Sequence, residues 1–120
     1  PTPKADSDLR PALREASLVL VPVSSSHVDL WATESVLDLT RRERRHAMIV
    51  LNRTRPRTRL DAEIAQCAAA LDAELATASL ANRVTYAETL GRGLGVHEAA
   101  RRGPAMEEVE ALADEVLAAL

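Results

Sequence analysis

SLVLVPVSSSHVDLW, Ser17–Trp31, is the stretch from which the fold can be read. Its first half, Leu18 to Val23, is an apolar run rich in β-branched valines, interrupted only by Pro22 and closed by Ser24, Ser25 and Ser26. Such a run predicts a buried strand that ends in a small-residue loop. In the second half Ser26 is placed to cap a helix with Asp29 three residues on, and Leu30, Thr33, Leu37 and Thr40 fall on one side of that helix. Strand, loop, helix is the half-unit of a βαβ crossover, and open parallel sheets bind their ligands at the carboxyl ends of the strands.

Outward from this unit the pattern repeats. Ala47 to Leu51 predicts a second short buried strand that stops at Asn52, after a helix from about Val28 to Arg45. NRTRPRT, Asn52 to Thr58, is a polar loop at that strand's carboxyl end, and Thr58 with Asp61 forms another capping start. Leu60, Ile64, Cys67, Leu71 and Leu75 then recur at helical spacing, followed by a weak third strand, Ala76 to Leu80. A helix is expected over Val84 to Leu90, stopped by Gly91, Gly93 and Gly95. Pro104 opens a last helix, with Met106, Val109, Leu112 or Ala113, Val116, Leu117 and Leu120 on one face. Before the first strand, Asp6 or Ser7 is placed to cap a short helix reaching Arg14, provided Pro11 lies in its first turn. Alternation of strands with helices gives an α/β fold with a short parallel sheet flanked by helices, in one domain over 1–120. Such a sheet needs both faces covered. With three short strands and few helices, the chain reads as half of something larger, or as one that must pair.

Composition narrows the chemistry. There is no Phe, one Trp and one Tyr, so the core is aliphatic. Cys67 is the single cysteine and makes no internal disulfide; with no leader or membrane-spanning run in the sequence, a soluble cytoplasmic setting is expected. The formal net charge of −3 conceals an uneven distribution: eight arginines lie between Arg41 and Arg59 against one acid, Glu43. Beyond Gly103 there are five acids and no base. The arginines either contact nucleic-acid phosphates, in two patches flanking the second strand, or serve as helix-end charges and partners of the acidic tail. No GxxxxGK[ST] phosphate loop is present, and GRGLG follows a helix instead of a strand, so it reads as a helix stop. His27, His46 and His97 are scattered and form no metal signature with the lone cysteine. The three serines lack a Gly-x-Ser-x-Gly context and read as cap and loop residues.

Three ordered segments carry a family resemblance: LVLVPV with its small-residue loop and DLWA, the LNR strand end at Leu51–Arg53, and ANRVTYAETLGRGLGVHEAARRG over residues 81–103. Together they resemble the carboxyl-terminal half of ParA-family partition ATPases, deviant-Walker P-loop proteins related to MinD. The resemblance implies a role in segregating plasmids, chromosomes or other cargo. It also implies ATP with Mg as the cofactors of the full-length protein, an ATP-sandwich homodimer, binding to DNA without sequence preference, and stimulation by a ParB-type centromere-binding adaptor. Localisation would be cytoplasmic and nucleoid-associated, with no membrane partner. By position, Asn52 resembles the adenine-reading residue, with Arg53 beside it and Pro22 on the neighbouring nucleotide and dimer face. Arg83, Arg101 and Arg102 resemble basic positions used on DNA. Each also has a plain reading, as strand terminator, loop residue or solvated arginine.

Departures from the family pattern limit what the chain does alone. The family's phosphate loop lies upstream of everything present, and at Thr2-Pro3 the magnesium-linked aspartate's place is taken by Pro1, with Lys4 where a second proline stands. Without lysine, phosphate cradle and acid, the chain by itself should neither hydrolyse ATP nor hold a cofactor, so no catalytic residue is assigned. Two other readings remain open from the sequence: a non-enzymatic self-association or docking module, and a small DNA-binding protein.

Overall fold

The computed structural model describes residues 5–99 and 102–120. Its order is α1 (Ala5–Glu15), β1 (Val19–Val23), α2 (His27–Arg42), β2 (Ala47–Thr54), α3 (Arg59–Ala69), β3 (Glu74–Leu75), β4 (Leu80–Ala81), α4 (Val84–Gly91), α5 (Val96–Ala99) and α6 (Pro104–Ala119). The expected α/β class, a short parallel sheet flanked by helices, is what forms. β2 is its centre. β1 pairs with β2 in parallel from Val19–Ala47 to Val23–Leu51, while β3 and β4 pair with different parts of β2, also in parallel.

Period-two alternation along β2 sorts its side chains onto two faces. Ala47 and Ile49 join Val21 and Val23 of β1 against Leu30 and Leu37 of α2 and Ile64 and Ala68 of α3. Met48 and Val50 point the other way and pack with Ala76, Leu112 and Ala119, under α6. Each large aliphatic side chain so buried contributes about 1.5–3 kcal/mol. All four positions predicted on the inner face of α2, Leu30, Thr33, Leu37 and Thr40, are buried.

Local signals explain the helix ends. Ser26 caps α2 by accepting the Asp29 amide, and Thr58 caps α3 by accepting the Asp61 amide at 3.2 Å. α2 stops in a Schellman arrangement, with the Arg44 amide donating to Arg41 and the Arg45 amide to Thr40. The residue at its left-handed position is Arg44, at φ 55°. α4 stops the same way, with Gly93 at φ 70° in that place and the Leu94 amide donating to Thr89. GRGLG is therefore a helix stop.

Several expectations need correction. The third strand is not Ala76 to Leu80: two two-residue strands form at Glu74–Leu75 and Leu80–Ala81, and the chain between them leaves the ladder. There the Thr77 and Ala78 amides find their acceptor in the carboxylate of Glu115 on α6, at 2.9 and 2.6 Å. β2 does not stop at Asn52 but runs to Thr54, through a bulge between Asn52 and Thr54 that places Arg53 at φ 52°. α1 continues through Pro11, which lies beyond its first turn and removes one backbone hydrogen bond from a peripheral helix. On α3, Ile64 and Ala68 form the buried stripe, while Leu60 and Cys67 are exposed. Leu117 on α6 and Leu120 just past its end also face solvent, because that helix rests on a sheet too narrow to cover them.

The sheet is also unfinished at β1. Its outer edge has no strand neighbour among the described residues. Leu20 and Pro22 are exposed on it. A groove of about 470 Å³ runs along this edge between α1 and α2, lined by residues that include Leu9, Leu13, Leu20, Pro22 and Val36. Among the described residues, no helix is long and apolar enough to cross a membrane.

Candidate functional site

The parallel strands β1, β2 and β4 end on the same side of the sheet, so the segments that follow them converge there. Ser24 and Ser25 from the β1 end, Arg53 and Arg55 from the β2 end, Thr58, Leu60 and Asp61 from the start of α3, and Asn82 after β4 line a cavity of about 530 Å³. An adjoining cavity of about 340 Å³ shares Ser25, Thr58 and Asp61 and is floored by Leu51, Ile64 and Ala65. Its position is the one that parallel α/β sheets use for ligands.

Two carboxylates hold the serine loop. Asp29 accepts the Ser24 amide at 3.1 Å. Hydrogen bonds from the Ser24 hydroxyl and amide, with the positive charge of Arg53 adding to them, hold the Asp29 carboxyl below the usual aspartate range. Asp61 accepts the Ser25 hydroxyl across the cavity, tying the β1 loop to the first turn of α3. Capping logic found Asp29 and Asp61 within their own helices. The Ser25–Asp61 bond joins residues 36 apart in sequence, and no local pattern announces it.

The predicted nucleotide-side residues do not all meet in one place. Arg53 lines the larger cavity. Asn52 lies beside it in β2, half-buried, with its side-chain oxygen accepting the Arg53 amide at 3.0 Å. Pro22 lies instead in the groove along the open β1 edge.

The predicted DNA-contacting residues are separated too. Arg83 is engaged inside the molecule: its Nε and Nη2 donate to the two oxygens of Glu108 on α6, at 3.1 and 2.9 Å. Glu108 also accepts the Tyr86 hydroxyl at 2.7 Å and the Ala81 amide at 3.3 Å. Burial works to raise the Glu108 carboxyl, but these donors outweigh it and the carboxyl titrates below the ordinary glutamate range. The Tyr86 phenol is pushed up by burial and by the neighbouring carboxylate. Arg102 is exposed just before α6, and Arg101 lies outside the described residues, as do Pro1, Thr2, Pro3 and Lys4, whose comparison with the family's aspartate motif therefore has no structural counterpart here.

The basic stretch divides into two ends of β2, as the sequence suggested. Arg41 and Arg42 sit within 4 Å of Asp38, with Asp72 also beside Arg41, and Arg45 donates to the Arg14 carbonyl. Arg53, Arg55, Arg57 and Arg59 surround the cavity end, and no ion pair forms at any of them among the described residues. The acidic tail does not neutralise either cluster. Its Glu108, Glu110 and Glu115 are engaged with Arg83, His97 and backbone amides of the β3–β4 region.

No protein-family model matches the chain. Over 109 residues it is 28% identical to the maintenance of carboxysome distribution protein A of Halothiobacillus neapolitanus, a match covering 86% of this chain and 50% of that protein. The chain spans about half the length of the curated relative it matches.

Proposed function

We propose that the chain is the carboxyl-terminal part of a ParA-like ATPase that positions an intracellular cargo, and that it supplies the adenine side of the nucleotide site and part of the dimer surface. The observation that carries this reading is the unfinished sheet. A β1 edge with no strand neighbour among the described residues, bearing exposed Leu20 beside an apolar groove, suits a further strand of the same domain. The likeness to a distribution protein, over half of that protein's length, supports the same reading, since distributing a cellular body is cargo positioning.

In this reading Asn52 and Arg53 at the carboxyl end of β2 face the base of ATP, and Mg and the phosphates are held by the upstream half. Pro22 borders the join between the halves. DNA contacts come from the exposed Arg102 and from its sequence neighbour Arg101, while Arg83 holds α6 in place. A homodimer and a ParB-type adaptor are the expected partners. Deleting the coding sequence in its host and imaging plasmids, chromosome origins and protein-bounded compartments tests the reading. One evenly spaced cargo is expected to cluster or be lost from daughter cells; unchanged spacing of all of them refutes it.

A second reading has one specific observation in its favour. Val28 and Trp31, one turn apart on α2, are 64% and 68% exposed, an unusual position for the only tryptophan. A self-association module would use that face. Concentration-independent sedimentation as a monomer, with and without nucleotide, removes it.

A further inference from the structure

Adenine needs an acceptor as well as donors to be read, because its ring nitrogens accept hydrogen bonds while its exocyclic amine donates them. Donors are plentiful at the carboxyl ends of the strands, where Arg53 and Arg55 line the larger cavity. Acceptors are scarce. The Asn52 side-chain oxygen takes the Arg53 amide at 3.0 Å, which leaves the nitrogen of that side chain to donate. The Thr58 hydroxyl is engaged locally, accepting the Asp61 amide at 3.2 Å and donating to the Arg55 carbonyl at 2.8 Å. Asp61 is the only carboxylate that lines either cavity, and it lines both.

Its surroundings hold this carboxylate in place. One oxygen, Oδ1, accepts the Ser25 hydroxyl from across the cavity, which fixes the orientation of the group. The other, Oδ2, has no hydrogen-bond or ion-pair partner among the described residues. Below it Leu51, Ile64 and Ala65 give the smaller cavity an apolar floor, which suits the face of a flat ring.

We propose that Asp61 accepts the exocyclic amine of adenine through Oδ2, and that Ser25 is the positioning residue that holds it for this purpose. On the ParA-like reading, on which this rests, Asp61 then supplies the acceptor that the engaged oxygen of Asn52 does not. A carboxylate at this end of the cavity also repels phosphate groups, so the base enters here and the phosphates lie away from it. A purine without the amine would enclose Oδ2 and leave it unpaired, which is how a half-buried acceptor selects its ligand.

The test is isothermal titration calorimetry of the protein at its full native length, in the presence of Mg, with ATP and with purine riboside triphosphate, which is ATP without the exocyclic amine. Wild type is expected to bind ATP about tenfold more tightly, the lower end for a hydrogen bond to a charged group. Asp61→Ala is expected to abolish that preference by weakening ATP about tenfold while changing the other nucleotide less than about twofold. Ser25→Ala removes the strut and keeps the acceptor, so a reduced preference for ATP is expected to remain. Equal weakening of both nucleotides by Asp61→Ala makes its role structural and overturns the proposal, as does complete loss of the preference in Ser25→Ala. Wild type settles the matter even where a variant fails to fold: equal affinity for the two nucleotides overturns the proposal alone. Binding of neither overturns the ParA-like reading and the proposal with it.

Discussion

Arg83 provides the sharpest conflict between a family-based reading and the observed contacts. If Arg83 served only as a solvated DNA contact, its removal would leave the fold untouched. In the structure its guanidinium makes a two-pronged bond to Glu108, at 3.1 and 2.9 Å, with side chains 34% and 19% exposed. Glu108 gathers two further donors, the Tyr86 hydroxyl and the Ala81 amide, and so joins α6 to β4 and α4. A hydrogen bond to a charged group contributes about 1.5–3 kcal/mol when buried, and an exposed ion pair about 0–1. Partial exposure places the Arg83–Glu108 coupling between these two limits. Glu108→Ala should cost roughly 3 kcal/mol, because the phenol and the amide lose their acceptor as well. Arg83→Ala should cost less, because Glu108 then keeps the phenol and the amide. Urea denaturation of wild type, both single variants and the double variant, followed by circular dichroism, closes the cycle. Single costs below about 0.5 kcal/mol with coupling below about 0.3 kcal/mol would refute the structural role of this pair.

Replacing Arg44, which holds the left-handed position at φ 55° ending α2, by Gly should stabilise the protein by about 1 kcal/mol, seen as a higher urea midpoint at unchanged slope. Thr58→Ala removes the acceptor of the Asp61 amide at the start of α3 and should cost about 1 kcal/mol in the same assay. Ile64→Ala, at the centre of the α3 contact with the sheet, should cost about 2–5 kcal/mol. The pH dependence has a worked sign. Asp29 and Glu108 titrate below their ordinary values when folded, so the stability they give is present above about pH 4.5 and is lost as pH falls through their folded values. Tyr86 titrates above its ordinary value, so its share is intact below about pH 10 and is lost as pH rises beyond that. Glu108→Gln should flatten the acid limb, and Tyr86→Phe the alkaline one, in thermal melts from pH 3 to 11.

What the sequence revealed is what local chemistry controls. The strand–serine–helix unit was legible because valine runs, small caps and Asp29 each act over a few residues, and the inner face of α2 followed from helical spacing alone. The third strand expected at Ala76 to Leu80 does not form there because the Thr77 and Ala78 amides are satisfied by Glu115, 38 and 37 residues away, instead of by a ladder partner. The buried faces of α3 and α6 are narrower than helical spacing alone implies, since a narrow sheet leaves Leu60, Leu117 and Leu120 uncovered. At the site, Arg53 and the serine loop could be placed at strand ends by pattern. The capture of Arg83 by Glu108 could not, for an arginine looks the same in sequence whether it faces solvent or a carboxylate on another helix.

The most direct test of the central claim is the binding of Mg-ATP to the protein exactly as its host makes it, with its intact mass measured on the same sample. The ParA-like account predicts a product longer than 120 residues that binds Mg-ATP, with binding weakened at least tenfold by Asn52→Ala. A native product of 120 residues, or a longer one that binds no nucleotide, would contradict it.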